Sequence, residues 1–237
     1  MTCIQGFIAA VPTANRAAFI DHADKAASAF RDHGCLSAVE CWGDEVPMGD
    51  LTSFPLAVQA GADETVVFSW YVWPSKSAHD AVMQGPMTDP RLSIETNPMP
   101  FDGKRVIFGA FEPLVEFGTP QQGGYVDGFV IPVPTANQDA FRKQAAEFAP
   151  IFAEFGASWI IECWEQDVPD GKLTDFRRAV QAQNDEAIVF SLVQWPDKAT
   201  RDAGSARMMQ DARFSDLEMP FDGKRMVFGG FVPIVQV

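Results

Sequence analysis

An internal duplication dominates this sequence and limits its folds more than any other property. With Gly6-Phe7 placed over Gly128-Phe129, an offset of 122, the two halves match in the same order along almost the whole chain. Val11-Pro12-Thr13-Ala14-Asn15 meets Val133-Pro134-Thr135-Ala136-Asn137, and Glu40-Cys41-Trp42 meets Glu162-Cys163-Trp164. Val67-Phe68-Ser69 meets Val189-Phe190-Ser191. After a two-residue deletion, Met99-Pro100-Phe101-Asp102-Gly103-Lys104-Arg105 meets Met219-Pro220-Phe221-Asp222-Gly223-Lys224-Arg225. Solenoid repeats recur every 20–50 residues or so; this period is that of a whole duplicated domain. The first copy is assigned residues 1–117, the linker 118–124, where Gly, Pro and Gln accumulate, and the second copy 125–237.

One copy reads as mixed α+β. Residues 4–11 alternate and stop at Pro12, as a strand does. Asn15 or Thr13 is a candidate cap for the helix that follows. Ala18, Phe19, His22, Ala26, Ala29 and Phe30 recur at helical spacing, and Gly34 is a natural terminator. Strands are expected at 36–43, 52–59 and 65–73, a second helix from Pro74-Ser75 to about residue 88, and a last strand at about 105–115. The order β-α-β-β-β-α-β is a split βαβ plan with one additional strand. In the run 65–73, Val66, Phe68 and Trp70 alternate with Val67, Ser69 and Tyr71, so both faces of the sheet are largely apolar. Helices cover one face; a second identical sheet is the natural cover for the other.

Charge and composition exclude several classes of function. The formal net charge is −14 and both halves are acidic, which disfavours binding to nucleic acid or to anionic membranes. No apolar run is long enough for a membrane-spanning helix, and no secretory leader is visible, so a soluble, cytoplasmic protein with reduced thiols is expected. Cys3, Cys35, Cys41 and Cys163 show no zinc-like spacing, and neither a metal nor a cofactor is expected.

The motifs Asp127-Gly128-Phe129-Val130-Ile131-Pro132-Val133-Pro134, Glu162-Cys163-Trp164, Val168-Pro169-Asp170-Gly171-Lys172 and Met219-Pro220-Phe221-Asp222-Gly223-Lys224-Arg225 resemble the YbaA-like bacterial family, domain of unknown function 1428. The resemblance covers nearly the whole chain, twice. It implies two ferredoxin-like modules packed sheet-to-sheet as an intramolecular dimeric α+β barrel, and a monomer whose dimer partner is covalently attached. It brings no established activity.

The candidate pocket is built from repeated polar and aromatic positions. Glu40 and Glu162 interrupt apolar strands, where a carboxylate must reach a rim or find a partner. Trp42 and Trp164 lie two residues on and share their faces. Arg105 and Arg225 open the last strands and are the candidate partners, as structural ion pairs or as acid/base elements. The three histidines, His22, His33 and His79, all fall in the first copy, opposite Gln144, Phe155 and Arg201, and read as ordinary helix residues. Two function classes follow. One is an uncharacterised protein that binds or transforms a small molecule in the barrel cavity. The other is a non-catalytic interaction or stress-associated scaffold. An open pocket at Glu40 or Glu162 favours the first, and a filled barrel the second.

Overall fold

The computed structural model describes residues 1–84, 88–215 and 217–237. The first copy contains β1 (Cys3–Pro12), α1 (Arg16–Asp32), β2 (Ser37–Glu45), α2 (Phe54–Ala57), β3 (Glu64–Trp73), α3 (Lys76–Met83) and β4 (Ile107–Gly118). The second repeats it with β5 (Tyr125–Pro134), α4 (Gln138–Glu154), β6 (Trp159–Asp167), α5 (Phe176–Ala179), β7 (Glu186–Trp195), α6 (Lys198–Met208) and β8 (Val227–Gln236).

Local chemistry sets these boundaries. Pro12 ends β1, and Thr13–Asn15 form a 3-10 turn into α1. Asn15 does not cap the helix with its side chain, nor does Thr13. The Asn15 amide instead donates to the Pro100 carbonyl at 2.8 Å, as Asn137 does to Pro220 at 2.7 Å, and so ties the Met-Pro-Phe segment to the helix start. Gly34 ends α1 at φ +100°, with Cys35 N–H donating to the Phe30 carbonyl and Gly34 N–H to that of Arg31, a glycine-terminated helix end. The strand expected at 52–59 is absent. Ser53 accepts the Leu56 amide and Pro55 sits in the first turn, so this segment coils into α2. The second helix stops at Met83; its expected continuation to residue 88 runs through residues 85–87, outside the described residues.

Within each copy the strands order as β2-β3-β1-β4 or β6-β7-β5-β8, all antiparallel. The two sheets do more than face each other. β4 pairs with β6 and β2 with β8, closing one eight-stranded barrel. Closure leaves no unpaired sheet edge.

Phenylalanines fill the barrel. Phe68 and Phe190, equivalent residues of the two copies, stack with ring centroids 4.7 Å apart and planes 3° from parallel. Phe111 and Phe231 stack on them, and Phe54 and Phe176 plug the lumen edge-on from α2 and α5. All six are fully buried. The rings fit because glycines lie beneath them: a Cβ at Gly6 would stand 2.8 Å from the Phe190 ring, and one at Gly128 2.9 Å from Phe68. Helices α1 and α4 lie on the outer faces of the sheets, over separate apolar clusters. No helix among the described residues is long and apolar enough to cross a membrane.

Candidate functional site

The alternation of β2 and β6 decides where the candidate carboxylates point. Val39 and Cys41 enter the barrel core, as do Ile161 and Cys163. Ala38 and Trp42, and in the second copy Ile160 and Trp164, pack on the helix side. Glu40 and Glu162 share that outer face, so they lie between sheet and helix and not in the barrel. The candidate site expected inside the barrel is therefore corrected: phenylalanines fill the middle of the lumen, and the two carboxyls line cavities outside it, one per copy, each under the long helix. A further cavity of about 310 Å³ opens at one end of the barrel beside Trp70 and Trp159, and another of about 550 Å³ lies at the surface between Lys104 and Lys172; neither is lined by Glu40 or Glu162.

The cavities are built from equivalent residues. The first, about 300 Å³, has Glu40, Ser69 and Tyr71 on its floor, with Phe19, His22 and Phe101 around it. The second, about 240 Å³, has Glu162, Ser191 and Val193 on its floor, with Phe141, Gln144 and Phe221 in the corresponding places. Glu40 pairs in register with Ser69, and Glu162 with Ser191.

The two carboxyls differ in their partners. Tyr71 donates to Glu40 Oε1 at 2.7 Å and Ser69 donates to Oε2, so both oxygens are occupied. Burial pushes the Glu40 carboxyl up and the two hydroxyls partly offset it. Val193 replaces Tyr71 in the second copy. Glu162 Oε2 is buried without a hydrogen-bond partner, and burial, offset only by Ser191, raises this carboxyl to about 7. A carboxyl in this range is half ionised near neutral pH, and it can give or take a proton there.

The other candidates are placed elsewhere. Trp42 packs on Phe19 with centroids 6.0 Å apart, beneath the Arg16 guanidinium, and Trp164 packs on Phe141 at 6.4 Å. Both are wall residues of the helix–sheet core and neither lines a cavity. Arg105 and Arg225 do not reach Glu40 or Glu162. Arg105 forks onto Glu64 at 2.6 and 2.8 Å and onto the Gln59 carbonyl; Arg225 forks onto Glu186 at 2.6 and 2.7 Å and onto the Gln181 carbonyl. Gln59 and Gln181 are the two non-glycine residues with positive φ, +50° and +49°, among the described residues. Each arginine thus clamps a strained turn, and the expected pairing of Arg105 and Arg225 with Glu40 and Glu162, structural or catalytic, does not form.

Four residues of the cavities, at three positions of the repeat, carry no distinguishing signal in the sequence. Ser69 and Ser191 lay inside a repeated motif whose polar member faces the carboxyl. Tyr71 was legible only as an apolar strand residue. His22 has the spacing of an ordinary helix residue. It lies edge-on to Phe101 at 5.7 Å, its Nδ1 buried without a partner and its basicity lowered by burial. The thiols are free and buried, and burial pushes Cys41 and Cys163 well above the ordinary range, so neither is a ready nucleophile. Among the described residues no group of three or more His, Cys, Asp or Glu is placed to hold a metal ion.

Comparison with known proteins agrees with this architecture. The uncharacterized protein YbaA of Escherichia coli K12 is 55% identical over 113 residues, which are 47% of this chain and 97% of that protein; YbaA of Shigella flexneri matches with the same figures. Among solved structures, an anthrone oxidase-like protein superposes with a TM-score of 0.61 at 13% identity, covering 100% of this chain and 92% of its own. A putative monooxygenase of Fusobacterium nucleatum gives 0.59 at 8%, covering 99% and 93%. One from Lactobacillus acidophilus gives 0.55 at 12%, covering 100% and 96%. At such identities the likeness is one of fold. The family described as Protein of unknown function (DUF1428) matches twice, over residues 2–103 and 124–223, and the chain belongs to that family as a tandem pair of its domain.

Proposed function

We propose that this protein binds a small, mainly apolar molecule between the long helix and the sheet, with the buried glutamate as its polar anchor. The observation that carries the reading is the recurrence of the same cavity in both copies with a carboxyl on each floor. A closely packed interior keeps few voids larger than a water molecule. Two equivalent cavities of about 240 and 300 Å³, built from the same positions of the repeat, are large enough for a small ligand. The buried carboxyl has the cost of a desolvated charge unless a ligand or a proton satisfies it. Glu162 is the group best placed to exchange a proton with a bound molecule. The filled lumen on its own suits a non-catalytic interaction protein, but that reading leaves the paired cavities without a role.

The test is a fluorescence titration with the uncharged probe N-phenyl-1-naphthylamine, in the wild type and in Ala26→Trp and Ala145→Trp, which fill the first and second cavities. Saturable binding that at least one of the two substitutions reduces is expected. No binding to the folded wild type, or binding indifferent to both substitutions, refutes the reading.

A further inference from the structure

The two cavities share a plan and differ at one decisive position. Tyr71 occupies one oxygen of Glu40, and Ser69 the other. Val193 stands where Tyr71 would be and leaves Glu162 Oε2 buried and unpartnered. A buried acceptor left unsatisfied costs the desolvation of that group, and a ligand that donates to it recovers the loss. The walls around Glu162 are phenyl rings: Phe129, Phe141, Phe148, Phe152, Phe214 and Phe221. Flat apolar walls of this kind favour an aromatic partner through edge-to-face and offset contacts. The volume, about 240 Å³, exceeds the roughly 150 Å³ apolar cavity that accepts a benzene ring, so a fused pair of rings is a reasonable size.

Resting on the pocket reading above, we infer that the second copy carries the selective site, and that its ligand is an uncharged aromatic molecule of one or two rings whose hydroxyl or amine donates to Glu162. No cationic side chain among the described residues lines this cavity. A ligand carboxylate would bring a like charge against Glu162 without compensation. Gln144, on α4, is the other polar residue of the wall and is neutral; Ser191, on β7, is the hydroxyl facing Glu162; β5 and the 217–226 segment contribute apolar lining. The donor requirement therefore falls on Glu162. The first cavity does not impose it, because its carboxyl is already satisfied.

Four probes on one skeleton separate the possibilities: 2-naphthol, naphthalene, 2-naphthoate and 2-naphthylmethylammonium, each titrated calorimetrically against the intact protein near neutral pH. The expected result is one tight site per chain for 2-naphthol, at least about tenfold weaker binding of naphthalene, and no binding of 2-naphthoate. Glu162→Gln, which keeps the shape and removes the charge, should weaken 2-naphthol by about tenfold. Tyr71→Phe, which frees one oxygen of Glu40, should raise the stoichiometry towards two. Equal affinity for naphthalene and 2-naphthol, unchanged in Glu162→Gln, overturns the donor requirement while leaving the cavity as a binding site. Failure of every probe to bind refutes the cavity reading itself. Tighter binding of 2-naphthylmethylammonium than of 2-naphthol overturns the inference in favour of a cation site. A stoichiometry that stays at one in folded Tyr71→Phe overturns the assignment of Tyr71 as the residue that closes the first site.

Discussion

Glu162 should make the stability of this protein fall as the pH rises through neutrality, against the usual behaviour of paired carboxylates. Its carboxyl rises from an ordinary 4.5 to about 7 in the folded chain, chiefly because burial disfavours the charged form. The folded state therefore holds the proton more tightly than the unfolded state. The stabilisation is fully present below 4.5 and is lost as the pH climbs to about 7. At about 1.4 kcal/mol per unit, the whole shift corresponds to about 3 kcal/mol. Other groups titrate in the same interval, so the quantity to measure is a difference. Glu162→Gln keeps the shape and cannot titrate, and the side chains facing Glu162 in the cavity are uncharged among the described residues. Urea unfolding of wild type and variant should be compared from about pH 5, above the sequence pI of about 4.5, to about pH 8. The wild-type advantage over the variant should shrink by about 2–3 kcal/mol across that range, with the change centred in the lower part of it and flattening above neutrality. A difference that is constant, or that grows with pH, would refute the placement of Glu162 in a desolvated, unpaired site.

Three further outcomes follow from the packing. Gly6→Ala should cost about 1–3 kcal/mol, because the new methyl group meets a Phe190 ring held by stacking on Phe68 and Phe111; an unshifted urea midpoint would show the barrel to be looser than described. Arg225→Leu should cost about 3–5 kcal/mol by leaving Glu186 buried and unpaired. The loss should exceed that of Arg105→Leu, whose partner Glu64 is more exposed; the reverse order in thermal melts would count against this reading of the pairs. Since the barrel closes within one chain, light scattering should give a mass near 26.0 kDa, and a mass of twice that would show that another surface pairs two chains.

The duplication, the α+β class and the family membership were all readable from the order of residues. So was the shared face of Glu40 with Trp42, since strand side chains alternate with period two. Alternation cannot say which of two apolar faces is the barrel and which is the helix side. That choice depends on how both sheets close, and it moved the candidate site from the lumen to the space beneath α1 and α4. The segment 52–59 is apolar enough for a strand, yet Ser53 and Pro55 begin a turn of helix there, and Phe54 is spent on plugging the barrel. The arginines were visible as ion-pair formers, but not toward Glu40 and Glu162: their partners Glu64 and Glu186 are 41 and 39 residues away in sequence, and only the fold brings them together. Tyr71 and Val193 already differ when the copies are aligned. That the difference satisfies one carboxyl and strands the other is decided by the tertiary structure, because a hydrogen bond across strands depends on register, facing and distance, none of which a linear sequence specifies.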